Sequence, residues 1–161
     1  MKKFLSAAAI VVALSGTAQS QDWDKAIAAY NNGDYATALQ EWRPLAEQGN
    51  ARAQNNLGAA YDYGEGVPQD YAEAVRWYRL AAEQGDALGQ SNLGLMYKNG
   101  LGVPQDFVMA HMWFNLASAN GHENAPEARN TVAEGMTPQD ISTAQAIARE
   151  CMSSNYQNCG H

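Results

Sequence analysis

Apolar and small residues follow a helical period along most of the chain, and the pattern breaks at glycine-rich turns. Over residues 51–63 they recur three or four positions apart and stop at Gly64, which predicts one helix. After a Gly-Glu-Gly-Val-Pro turn, Asp70 precedes a second periodic stretch, with Glu73 three residues later in a capping-box pattern. We therefore expect a second helix that Asp70 caps and that continues to Gln84.

This pair of helices is one unit of an internal repeat. Gly49, Gly85 and Gly121 are spaced by 36 residues and again by 36, and each is the last residue of a similar five-residue segment. Twelve residues recur with the same identity 36 positions later; they are Ala51, Gln54, Asn56, Leu57, Gly58, Tyr61, Gly64, Gly66, Val67, Pro68, Gln69 and Asp70. Such a period is typical of a solenoid, in which stacked units share one extended core.

Glycine occurs inside the first helix of each unit, at Gly58 and Gly94. A glycine there costs about 1 kcal/mol of stability relative to alanine, so its repetition needs a structural reason. We expect the partner helix to approach closely at these points, with its aromatic pair against the gap. The pairs are Trp77-Tyr78 and Trp113-Phe114.

Composition agrees with an all-α fold. Beyond residue 20 the chain holds 24 alanines but only 8 valines and isoleucines and 4 threonines. Alanine is the best helix former, whereas β-branched residues fill strands. Helices packed closely around small side chains are therefore expected.

The first 20 residues predict a cleavable export signal. Lys2 and Lys3 form a positive start, residues 4–14 are apolar apart from one serine, and small residues precede the expected cleavage before Gln21. The apolar run of about 11 residues is too short for a spanning helix, which needs about 20. We expect a periplasmic or secreted protein with no transmembrane segment in its mature chain.

Charge argues against a nucleic-acid partner. The formal net charge is −7, and removal of the two signal lysines lowers it to −9. Phosphate binding needs a basic surface, which this balance does not supply.

Residues that could carry chemistry form no recognisable catalytic or metal-binding pattern. His111, His122 and His161 are not paired at metal-ligand spacing, and no serine lies in nucleophile-elbow surroundings. His111 stands where the first unit has Val75, which favours a local packing or surface substitution. We expect no enzymatic activity, cofactor or metal.

Both cysteines, Cys151 and Cys159, lie at the end of the chain. In an exported protein a disulfide is the default interpretation. Eight residues of helix span about 12 Å, so the helix must break near residues 153–155 if the bond forms. A redox pair or metal site is the alternative, although the spacing is not Cys-x-x-Cys.

The repeated residues resemble the Sel-one-like repeat (SLR), a relative of the tetratricopeptide repeat. The resemblance is carried by a Leu-Gly-x-x-Tyr stretch at residues 57–61, the Gly-x-Gly-Val turn at 64–67, Asp70, and the alanine helix closed by Ala-Ala-Glu-Gln-Gly at 74–85. The same features follow 36 residues later, except that the second unit closes with Ala-Ser-Ala-Asn-Gly at 117–121. This resemblance implies a short right-handed α-α superhelix of antiparallel helix pairs with divergent terminal caps.

The resemblance also suggests how the chain is divided. After the signal at 1–20 we expect a degenerate tetratricopeptide-like helix pair at 21–49, two Sel-one-like repeats at 50–85 and 86–121, and C-terminal capping helices at 122–161. Thr137-Pro138 opens a further helix there, with threonine as cap and proline at the first helical position.

One stripe of the first helices breaks the repeat. In two-helix solenoids these helices usually line the concave surface, so we predict that the varying residues bind a partner; the alternative is that they are merely solvated. The predicted partner-binding residues are Arg52, Asn55, Asp62, Tyr63, Leu88, Ser91, Leu95 and Lys98, and the stripe also includes Ala59 and Asn99.

The function implied by the resemblance is a non-enzymatic scaffold or adaptor of the bacterial cell envelope that binds a peptide or protein segment in a concave groove. An alternative class comes from cysteine-rich exported relatives described as penicillin-binding or weakly β-lactam-hydrolysing. Those proteins carry a cysteine pair in each repeat, whereas the two clear repeats here carry none, and no Ser-x-x-Lys motif is present.

Overall fold

The computed structural model describes the backbone of residues 15–159 and the side chains of residues 23–159. Within this range the chain is all-helical, as predicted, and contains no strand. Its helices are α1 (Ser15–Asn31), α2 (Tyr35–Glu47), α3 (Ala51–Tyr63), α4 (Tyr71–Ala82), α5 (Ala87–Asn99), α6 (Phe107–Ala119), α7 (Ala125–Ala133) and α8 (Pro138–Ser153).

The predicted signal lies mostly outside the described residues, which begin at Ser15. Its last six residues, 15–20, form the start of α1, so the predicted cleavage before Gln21 falls within that helix. None of the helices in the described range is long and apolar enough to cross a membrane.

Consecutive helices pack in pairs, α1 with α2, α3 with α4 and α5 with α6, and each pair packs on the next. At the end of the chain, α7 and α8 both pack against α6. The turn of the second unit also docks on the start of α4. A Cβ added at Gly102, whose φ is +68°, would lie 2.2 Å from the carbonyl oxygen of Tyr71, so only glycine fits there.

Asp70 caps α4 as predicted, but the capping box is only half formed. Its carboxylate accepts hydrogen bonds from the backbone N–H groups of Ala72 and Glu73 at 3.0 and 3.1 Å. The reciprocal bond is missing because the N–H of Asp70 donates to the carbonyl of Tyr61, and Glu73 pairs instead with Arg76.

The second helix of the first unit ends at Ala82, two residues before the predicted end at Gln84. The N–H groups of Gln84 and Gly85 donate to carbonyls three residues back, which tightens the last turn. Gly85 then takes a φ of +83°, a left-handed conformation typical of helix ends.

The glycine gaps in the first helices hold one aromatic ring each. A Cβ added at Gly58 would lie 2.6 Å from the ring of Tyr78, and one at Gly94 would lie 2.9 Å from the ring of Phe114. The predicted close approach is therefore confirmed for the second member of each aromatic pair. The tryptophans that precede Tyr78 and Phe114 are buried elsewhere in the core.

Two buried glutamines connect successive units. The side-chain amides of Gln54 and Gln90 each donate, at 3.1 Å, to a carbonyl near the end of the preceding second helix. Their oxygens accept hydrogen bonds from Gln84 at 2.6 Å and from Asn120 at 2.9 Å. This paired arrangement explains why glutamine recurs at a buried phase of the repeat, since each one satisfies a helix-terminal carbonyl.

The C-terminal tail is held by the predicted disulfide between Cys151 and Cys159, both fully buried, with their Cα atoms 4.5 Å apart. The helix breaks where that bond requires, because α8 ends at Ser153 and the next residues turn back. Tyr156 in this turn has a φ of +64°, and its hydroxyl exchanges hydrogen bonds with the side chain of Asn120.

Candidate functional site

The first helices of the three pairs form one side of the solenoid. We call this side the first-helix face. It carries the varying stripe of α3 and α5, and three residue pairs, each spaced i, i+4 on its helix, mark its course. They are Ile27 and Asn31 on α1, Ala59 and Tyr63 on α3, and Leu95 and Asn99 on α5. Helices α3 and α5 contact each other directly.

The varying stripe leaves large apolar side chains open to solvent on this face. Tyr63 is 69% exposed, Leu88 is 53% exposed and Leu95 is 40% exposed. Arg52 is exposed, whereas Asp62 and Lys98 are partly buried. Six of the eight predicted partner-binding residues are therefore accessible from solvent.

Asn55 and Ser91 do not belong to the exposed stripe, because they are only 7% and 6% exposed. The oxygen of Asn55 instead accepts a hydrogen bond from the side chain of Asn92 at 2.9 Å, which joins α3 to α5. Both residues therefore belong to the contacts within the solenoid, and we remove them from the predicted binding set.

A cavity of about 260 Å³ opens between α1 and α3. Its walls were missed by the sequence analysis, because its α1 residues lie in the degenerate unit and Asn56 recurs in the repeat, which suggested a scaffold residue. In the sequence, the only indication of this cavity was the set of aromatic residues within the first 42 positions. The lining residues are Ile27, Tyr30, Asn31, Trp42, Asn56 and Ala59.

Aromatic rings extend from this cavity through the N-terminal unit. The ring of Tyr30 lies 5.4 Å from that of Trp42 and 5.2 Å from that of Tyr35, in tilted and edge-on arrangements. Trp23 lies 6.3 Å from Trp42, and the guanidinium of Arg52 stands 4.8 Å above the Trp23 ring. A larger cavity, of about 550 Å³, opens beside Trp23 and Arg52.

Two tyrosine–carboxylate pairs stand at the C-terminal end of α3. The hydroxyl of Tyr30 donates to Glu65 at 2.9 Å, and burial together with that carboxylate raises the pKa of Tyr30 to about 12. The hydroxyl of Tyr78 donates to Asp62 at 3.2 Å, and burial raises the pKa of Tyr78 as well. Burial also raises the pKa of Asp62, outweighing the opposite effect of its hydrogen bond. Both tyrosines are therefore neutral donors at physiological pH.

Two more grooves lie on the second helices, with volumes of about 430 and 300 Å³. Every residue lining the first recurs, in sequence position, 36 residues later in the second. These grooves are therefore products of the repeat and carry no feature that singles out one unit. The first is lined by Ala36, Leu39, Gln40, Arg43, Pro44, Glu47, Gly66 and Val67.

In the described range, no three His, Cys, Asp or Glu side chains lie close enough together to hold a metal ion. His111 is buried at 3% exposure, so it is a packing substitution for Val75 and not a surface one. Burial lowers its pKa, and the nearby charge of Arg129 acts in the same direction.

Comparisons with known proteins agree with the architecture. Residues 51–86 and 87–122 each match the Sel1 repeat, the repeat named Sel-one-like above. A solved protective antigen present in uropathogenic Escherichia coli strains, described as displaying an SLR fold, aligns with a TM-score of 0.79 and 29% identity. That alignment covers 86% of this chain but only 31% of the antigen, so this chain spans about a third of that protein.

A Sel1 repeat protein from Oxalobacter formigenes is 35% identical, with a TM-score of 0.62, over 70% of this chain and 88% of that protein. No curated protein matches the chain. Sel1 repeats form α-solenoids that generally act as non-catalytic scaffolds for protein–protein interaction. On the repeats and the Oxalobacter relative together, the chain belongs to the Sel1 repeat family.

Proposed function

We propose that this protein is an adaptor of the bacterial cell envelope that binds a peptide or protein segment along its first-helix face. The observation that carries the proposal is the contrast between that face and the rest of the repeat. On the first helices, Gln54, Leu57 and Gly58 keep the 36-residue period and are buried. By contrast, Tyr63, Leu88 and Leu95 break the period and are exposed. Exposed apolar side chains that follow one stripe of two neighbouring helices favour an interaction surface.

The envelope location rests on two features. The predicted export signal would deliver the chain to an oxidising compartment, where the disulfide between Cys151 and Cys159 forms and persists. A cytosolic protein of this size would keep its thiols reduced. This agreement between signal and bond supports a periplasmic or secreted protein.

Affinity capture tests the proposal. The mature chain, immobilised through its C terminus, is exposed to periplasmic extract, and bound proteins are identified by mass spectrometry. The test variant combines Leu88→Ala, Leu95→Gln and Lys98→Ala. It should lose the specific partner while keeping its melting temperature. All three side chains are at least partly exposed, so their replacement leaves the core intact.

A matched control makes the same kinds of change on the opposite side of the solenoid, at exposed Leu80 and at Arg76. This control should retain the partner. Loss of the partner from the control and not from the first-helix variant would move the site to the second helices, and equal retention by both variants would contradict the proposal.

A further inference from the structure

We infer that the cavity between α1 and α3 holds a lysine or arginine side chain of the bound segment. The inference rests on the proposed function of the first-helix face, and it specifies the chemistry of the partner. The cavity, of about 260 Å³, is smaller than the roughly 300–1,000 Å³ typical of drug-sized ligands, so it fits one side chain.

The walls of the cavity match the stem of a long cationic side chain. Ile27 and Ala59 supply aliphatic surface, and Tyr30 and Trp42 supply ring surface. Lysine and arginine bury their methylene stems along such surface while the charged head stays at a polar edge. An aromatic ring also attracts a cation directly, a contact that the protein itself uses where Arg76 lies 4.1 Å above the ring of Trp77.

The edge of the cavity is negative. Glu65, just beyond the C-terminal end of α3, accepts a hydrogen bond from the hydroxyl of Tyr30, a residue of the cavity wall, and Asp62 stands three residues earlier, in the last turn of α3 beside Tyr78. The hydrogen-bond partners of both carboxylates within residues 23–159 are tyrosine hydroxyls, and neither forms an ion pair with a basic side chain there. The C-terminal ends of α1 and α3 add their own partial negative charge. A cationic head therefore complements this edge.

The second unit shows that the acidic edge is not required by the fold. Its backbone follows the same course, yet Lys98 and Leu101 stand at the positions of Asp62 and Glu65. At the C-terminal ends of the two helices, the face therefore changes from negative at α3 to positive at α5. That change favours a segment whose basic residue lies over the first unit and disfavours the reverse placement, because Lys98 would repel the same charge.

Three synthetic pentapeptides test the inference by NMR titration of the isotope-labelled full mature chain. All are acetylated and amidated Gly-Leu-X-Leu-Gly, with lysine, norleucine or glutamate at X. The lysine peptide should produce saturable shifts at Tyr30, Asn56 and Ala59, with a dissociation constant on the order of 1 mM. The norleucine peptide should bind about fivefold more weakly, and the glutamate peptide should bind more weakly still. Added salt should weaken the binding of the lysine peptide.

The matched variants use the natural contrast between units. The variant Asp62→Lys with Glu65→Leu gives the first unit the residues of the second and should abolish lysine preference. The control variant Glu134→Lys with Glu150→Leu makes the same change in net charge at exposed sites on the C-terminal helices and should bind as the natural chain does.

Each outcome decides one of the two proposals. Any of four results would overturn the cationic site. They are equal binding of the three peptides, shifts confined to other surfaces, unchanged lysine preference in the Asp62 and Glu65 variant, and no binding at all. The adaptor proposal would stand in those cases if the capture experiment still lost its partner in the first-helix variant. Failure of that capture with a preserved lysine preference would overturn the adaptor proposal instead.

Discussion

The close approach of paired helices at Gly94 can be tested by adding a side chain there. Gly94→Leu places a Cβ 2.9 and 3.0 Å from two ring carbons of Phe114, a fully buried residue. Three further carbons must then find space. Overpacking of this kind costs about 1–3 kcal/mol, and leucine at a helical position recovers up to about 1 kcal/mol relative to glycine.

The steric cost should exceed the helical gain, because a whole leucine side chain enters a site with no room for one methyl group. With the overpacking cost at its upper end, about 3 kcal/mol, and about 1 kcal/mol recovered, we expect a net loss of about 2 kcal/mol in the free energy of unfolding. A domain of this size loses about 3–4 °C per kcal/mol, so the melting temperature should fall by about 6–8 °C. Circular dichroism at 222 nm during thermal unfolding measures this change.

A matched glycine supplies the control. At Gly135 the nearest atom to an added Cβ is 3.8 Å away, an ordinary contact, so Gly135→Ala should leave the melting temperature nearly unchanged. A double-mutant cycle with Phe114→Ala should show that Gly94→Leu costs less once the ring is absent. An unchanged melting temperature for Gly94→Leu, or strict additivity in the cycle, would refute the close-approach account.

Three further predictions concern the rest of the scaffold. Reduction of the Cys151–Cys159 bond should lower the free energy of unfolding by about 2–3 kcal/mol in the loop-entropy model, measured by urea denaturation with and without reductant; identical midpoints would contradict it. Burial lowers the pKa of His111, so as the pH falls the unfolded chain takes up a proton at this residue before the folded chain does. Stability, measured as the melting temperature, should therefore decline as the pH falls below about 6.5, and His111→Val should flatten that decline. Gln90→Leu should cost about 1–3 kcal/mol by leaving buried partners unsatisfied, whereas the same change at exposed Gln145 should cost nearly nothing in the same assay.

Features that depend on local sequence were predictable because the repeat presents each of them twice. The bounds of α3, the cap at Asp70 and the glycine gap at Gly94 all follow from neighbours in sequence and from their recurrence after 36 residues. The disulfide followed from the predicted compartment and from the two cysteines near the end of the chain. In each case the physical cause lies within one helix, one turn or one helix pair.

Features that depend on how neighbouring units are offset could not be read from one helix at a time. Asn55 varies between units and therefore resembled a binding residue, yet it is buried because Asn92 of the next unit reaches it. The cavity was missed for a related reason. Its walls combine residues of the degenerate unit with residues of a regular one. Comparison of repeated positions therefore does not place Tyr30 beside Asn56.

The geometry of stacked helices also limits what the first-helix face can bind. Neighbouring helices pack about 8–10 Å apart, so α1, α3 and α5 together present a face roughly 25–30 Å long, including the width of the outer helices. An extended peptide advances about 3.3 Å per residue and would cross this distance in roughly eight or nine residues. A contact of that length has room for few anchors. A basic side chain near Tyr30 and an apolar one near Leu95 would therefore contribute most of the affinity. Replacing either of these two peptide residues should lower the affinity more than replacing any residue between them.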